Sequence, residues 1–77
     1  MKNKKVYVEL SALKGLIRER SSSYRVIAAN LCIALPTFSN KINGHRAFNT
    51  IELDKIVDLL DIPPGSIGRY FFPHRFI

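Results

Sequence analysis

The chain has 77 residues and a formal net charge of +6, from 12 Lys and Arg against 6 Asp and Glu. A chain this short holds one hydrophobic core, which argues for a single domain over residues 1–77 and against a deep substrate cleft. With 47% hydrophobic and 23% charged residues it should fold rather than remain a disordered polycation, and Cys32, His45 and His74 supply neither an internal disulfide nor a four-ligand zinc site.

In chain order, Val6-Tyr7-Val8 reads as a short strand, with Arg75-Phe76-Ile77 as its pairing partner at the other terminus. The first helix is expected from Glu9 or Ser11 to Arg20, because Leu10, Leu13, Leu16 and Ile17 recur at three- and four-residue steps. Ser21, Ser22 and Ser23 end it and offer a hydroxyl N-cap to a second helix, Ser23 to Asn30, that buries Ile27 and Ala28. A tight turn at Leu31-Cys32-Ile33 leads to a third helix from about Leu35 to Ile42, with Phe38 and Ile42 inward. Asn43-Gly44 stops it, since both residue types tolerate left-handed backbone. Proline disfavours helical geometry in the residue before it, which would move the start of this helix to Pro36 and leave Leu35 outside.

The fourth helix has the clearest start. Asn49 and Glu52 have capping-box spacing, and Phe48 and Leu53 stand at the two positions of a hydrophobic staple. Leu53, Ile56, Val57 and Leu60 form its apolar stripe, and Ile62-Pro63-Pro64 terminates it. Pro64 then opens a weak fifth helix through Tyr70, weakened by Gly65 and Gly68. The fold expected is a compact all-α, five-helix domain with short terminal strands.

The charge is unevenly placed. Residues 1–50 hold nine basic side chains against Glu9 and Glu19, and Arg20 to Ile51 contains no acid. Such a one-sign field opposes compaction through self-repulsion and points to a polyanionic partner. Two short helices, a three-residue turn and small Ala28 where they cross describe a helix-turn-helix over residues 23–43.

The run Leu31-Cys32-Ile33-Ala34-Leu35-Pro36-Thr37-Phe38-Ser39-Asn40-Lys41-Ile42-Asn43-Gly44 resembles the turn and recognition helix of the Cro and lambda-repressor type (XRE-like) helix-turn-helix family. Leu13 to Glu19, Phe48 to Leu60, Ile62-Pro63-Pro64 and Tyr70-Phe71-Phe72-Pro73 are similar to its flanking helices, so the likeness covers residues 10–73. The resemblance implies a lambda-repressor-like fold and a small phage or prophage transcriptional regulator, a Cro-like repressor that binds operator DNA in the bacterial cytoplasm. Three positions depart from the family pattern: Cys32 where glycine is frequent, Tyr24 where glutamine is frequent, and Pro36 where a polar residue is usual.

On that reading, Leu35, Pro36, Ser39, Asn40 and Asn43 face the major groove. Asn40 can pair in bidentate fashion with adenine, and Leu35 with Pro36 can pack on a thymine methyl. Tyr24, Arg25, Thr37, Lys41, His45 and Arg46 would hold phosphates, with Lys2, Lys4 and Lys5 as a basic arm. Phe71, Phe72, Phe76 and Ile77 either close the core or offer a homodimer surface.

No cofactor, metal, small-molecule ligand or membrane span is expected. The longest apolar stretch, Val26 to Leu35, contains Asn30 and is about half the length of a membrane span. Nor is an enzyme expected, because no oriented base, paired acid or glycine-rich phosphate loop is present. The alternative is an antirepressor or co-repressor that acts chiefly by binding another phage regulator. The apolar third helix and aromatic C-terminus favour it, and the acid-free basic zone opposes it.

Overall fold

Leu13, Leu16 and Ile17 lie on one face of α1 (Ser11–Glu19), and their burial against the other helices gives the core its first wall. The computed structural model describes residues 7–75. Within them, α1 is followed by α2 (Tyr24–Asn30), α3 (Leu35–Ile42), α4 (Thr50–Leu60) and α5 (Ile67–Phe71), with 3₁₀ turns at Pro64–Ser66 and Pro73–Arg75. The domain is all-α. Leu13, Ile27, Phe38, Ile42 and Ile56 have no exposed surface and form its centre, each burial stabilising by about 1.5–3 kcal/mol before entropy is counted.

Local signals set the helix starts. The Ser23 hydroxyl accepts from the Val26 amide at 3.2 Å, which satisfies one orphan donor of α2. The capping box forms as expected: Asn49 Oδ1 accepts from the Glu52 amide at 2.8 Å, and Glu52 Oε1 from the Asn49 amide at 2.9 Å. α3 has the Leu35–Ile42 bounds that its spacing gives, and only the proline-based shift of its start to Pro36 does not hold. Leu35 is helical, Ala34 is the N-cap and Pro36 occupies the second position. A proline there still spends only an amide that the first turn leaves unpaired, so the helix gains a residue without losing a hydrogen bond.

The last helix is also divided. Pro64, Gly65 and Ser66 wind as a 3₁₀ turn and α5 begins only at Ile67, because glycine has little helix propensity. Tyr7, Val8 and Arg75 are not in strands, and Val6, Phe76 and Ile77 lie outside the described residues. No helix among the described residues is long and apolar enough to cross a membrane.

Helices α1 to α4 end in one device, a left-handed residue followed by a hydrogen bond that reaches back to the last full turn. The amides of Ser22, Ile33, His45 and Ile62 donate to the carbonyls of Ile17, Ala28, Asn40 and Val57 at 2.9 to 3.1 Å. This is the Schellman closure. The left-handed residues are Ser21, Cys32, Gly44 and Asp61, with φ of 56°, 59°, 92° and 54°. Asn43, expected to share this role, keeps helical backbone at φ −85°.

A side chain in left-handed backbone costs about 1–2 kcal/mol, part of which glycine forfeits through its greater unfolded-state entropy. Cys32→Gly is therefore expected to raise stability by about 0.5–1 kcal/mol, seen as a higher urea midpoint at unchanged slope. An unchanged or lower midpoint refutes the strain at this turn.

Candidate nucleic-acid interface

The site grows from the seat of α3. Phe38 is buried, with the Tyr24 ring edge-on to it at 5.2 Å and the Phe48 ring at 5.6 Å. Such aromatic contacts add to burial and fix the roll of the helix about its axis. With Phe38 and Ile42 inward, Pro36 and Asn40 are exposed on the opposite side, and Leu35 and Ser39 are half-buried beside them. These four residues come together on one outward stripe.

Asn43 does not join that stripe freely. Its Oδ1 accepts from Lys14 Nζ at 2.5 Å, and its Nδ2 donates to Ser39 Oγ at 3.3 Å. Lys14 also pairs with Glu9 at 2.6 Å, so Asn43 fastens α3 to α1 instead of presenting an open amide for reading. Sequence reasoning missed Lys14 in this role because the partner lies 29 residues away.

Among the expected phosphate contacts, Arg25 and Arg46 are exposed and Thr37 is half-buried. Tyr24 is half-buried, its ring committed to Phe38. Lys41 is a correction. Its ammonium donates to both oxygens of Glu52, at 2.6 and 2.7 Å, and the two side chains are only 12% and 8% exposed. It lies 6.0 Å from the Phe48 ring centre and points toward α4. A charge enclosed in this way is unavailable to a phosphate unless the pair breaks.

His45 is half-buried: its Nδ1 is enclosed without a hydrogen-bond partner, so a phosphate contact would fall to Nε2, while its backbone amide closes α3 on Asn40 at 2.9 Å.

Electrostatics follow from these pairings. Burial pushes the Glu52 carboxyl up, but hydrogen bonds from Lys41 and the Asn49 amide, with the Lys41 charge, more than reverse this and hold it below its ordinary value. Glu52 and Glu9 thus have cations beside them, and the exposed Arg25 and Arg46 stand in a stretch, Arg20 to Ile51, that contains no acid. The surface around α3 is therefore positive, with apolar and amide groups at its centre.

The C-terminal aromatics divide. Phe71 is buried in the core and cannot serve as dimer surface, Phe72 is 44% exposed, and Phe76 and Ile77 lie outside the described residues. Phe72 borders an open groove of about 440 Å³ together with Tyr7, Val8, Arg46, Phe48 and His74. Among the described residues, no group of His, Cys, Asp and Glu could hold a metal ion.

A family model described as "Protein of unknown function (DUF739)" matches residues 6–74. No curated protein and no solved structure matches the chain.

Proposed function

We propose that this chain, which belongs to the DUF739 family, is a sequence-specific regulator of the Cro-like helix-turn-helix type that lays α3 in the major groove of operator DNA. The observation that carries the reading is the outward stripe of α3, Asn40 above all, centred in a positive surface and aimed by the closed turn at Cys32. Two short helices in this arrangement are a DNA-reading motif, and Arg25 and Arg46 are suited to the flanking phosphates. A repressor or other operator-binding regulator in a bacterium carrying a phage or prophage fits the sequence resemblance. Two copies on half-sites about one helical turn apart would supply the affinity that one short helix lacks.

The test is binding-site selection with the purified protein, followed by fluorescence anisotropy against salt. Asn40→Ala should lose about 1–3 kcal/mol at the selected site and flatten the preference between sites. Arg46→Ala should weaken selected and unrelated duplexes alike and reduce the salt slope by about 0.9. Duplex binding absent even at low salt, together with retention of a partner repressor, would instead favour the antirepressor or co-repressor reading. The exposed Val26, Ala34 and Pro36 around the turn are the observation on its side.

A further inference from the structure

We infer that the operator half-site is rich in A·T pairs and is recognised through the methyl groups of thymine, an inference that rests on the DNA-binding reading of α3. Guanine is usually read by an Arg or Lys that reaches its O6 and N7 from the groove-facing helix. The sequence of α3, Leu-Pro-Thr-Phe-Ser-Asn-Lys-Ile, contains one cation, Lys41, and both oxygens of Glu52 hold it at 2.6 and 2.7 Å on the side facing α4. The reading face therefore carries no guanine-reading group of its own.

What that face does carry is apolar at its leading end and an amide one turn further on. Pro36 is exposed, Leu35 is half-buried, and Cys32 and Ala34 are exposed in the turn before them. A base pair meets such a surface favourably only through the C5 methyl of thymine, the apolar group in the major groove. Asn40 follows Pro36 by four residues, which puts it one turn along the same stripe, and its exposed amide matches the N6 and N7 of adenine. Ser39 adds little contrary preference, because a hydroxyl can donate to or accept from any of the bases. An apolar tip and an unoccupied amide select thymine and adenine, and the captive lysine withholds the alternative.

Three duplexes of equal length test this: alternating A-T, the same duplex with deoxyuridine in place of thymidine, and alternating G-C. Deoxyuridine removes only the methyl group. At about 50 mM salt, where backbone attraction is strong enough to register weak binding, the protein should bind A-T tightest and lose about fourfold in affinity for each buried methyl removed in the A-U duplex. Leu35→Ala and Pro36→Ala, each checked for an unchanged circular dichroism spectrum, should bind A-T and A-U within about twofold of each other. A second variant keeps the test open if the first fails to fold. Equal binding of A-T and A-U by the wild type, or G-C bound as tightly as A-T, overturns the inference and leaves DNA binding intact. No binding to any of the three duplexes removes the DNA-binding reading and this inference with it.

Discussion

Glu52→Gln is expected to lower the stability of the fold by about 3 kcal/mol, out of a total of roughly 4–12 kcal/mol for a chain of this size. The amide is nearly isosteric and can still accept from the Asn49 amide, so the capping box survives. What the substitution removes is the countercharge of Lys41, whose ammonium is then left largely enclosed beside Phe48 with no anion. Glu52→Ala also deletes the cap and should cost about 1 kcal/mol more. Combining Glu52→Gln with Lys41→Met should recover a large part of the loss, because the two residues are coupled and the double variant buries no orphan charge. Urea unfolding of the wild type, Glu52→Gln, Lys41→Met and the double variant gives the cycle. A coupling below about 0.5 kcal/mol would mean that the pair is open in solution.

The same pair sets an acid limit. The folded carboxyl titrates below its ordinary value, so the unfolded chain takes up its proton first as the pH falls. The pair's contribution is complete above the unfolded value of about 4.3. It declines below that and is gone once the pH has passed the lower, folded value. Glu52→Gln lacks this component, so its stability should fall less steeply with acid than that of the wild type.

Gly44→Ala is the second large effect, about 3 kcal/mol. At φ +92° a side chain is strained wherever it points, and here its Cβ would stand 2.5 Å from the Tyr7 carbonyl oxygen and 3.1 Å from the Glu9 amide nitrogen. Both obstacles are backbone and cannot swing aside. Relief requires the segment before α1 to lift away, which breaks the bonds from the Tyr7 amide to the Gly44 carbonyl at 2.8 Å and from the Leu10 amide to the Ile42 carbonyl at 3.0 Å. In a domain of this size the melting temperature should drop by about 15 °C. A drop under about 4 °C would show that the segment does not lie against Gly44 in solution.

Much of the helical framework is written in neighbouring residues, and for that reason it was legible. Ser23, the Asn49 and Glu52 box and the inward pair Phe38 and Ile42 each follow from spacing within one or two turns, whereas the turn at Cys32 was marked by the family resemblance. The illegible part depends on pairs distant in sequence. Glu52 had a complete local explanation as a cap, so nothing in the sequence marked it as the partner of Lys41 on another helix. Asn43 looked like a solvent-facing amide until Lys14 of α1 met it, and Phe71, as fit in sequence for the core as for a dimer surface, is core because α5 folds onto α1. Leu35 misled for a different reason. The rule against helical backbone before proline is a preference, and the first turn of a helix, with no amide to lose, is where it yields most easily.

The helix closures bear on the lifetime of the molecule in a cell. Ser21, Cys32 and Asp61 each hold a side chain where glycine would be at ease, and together they forgo about 2 kcal/mol of attainable stability. A protease that cuts only opened molecules sees a population about thirtyfold larger than it would with three glycines.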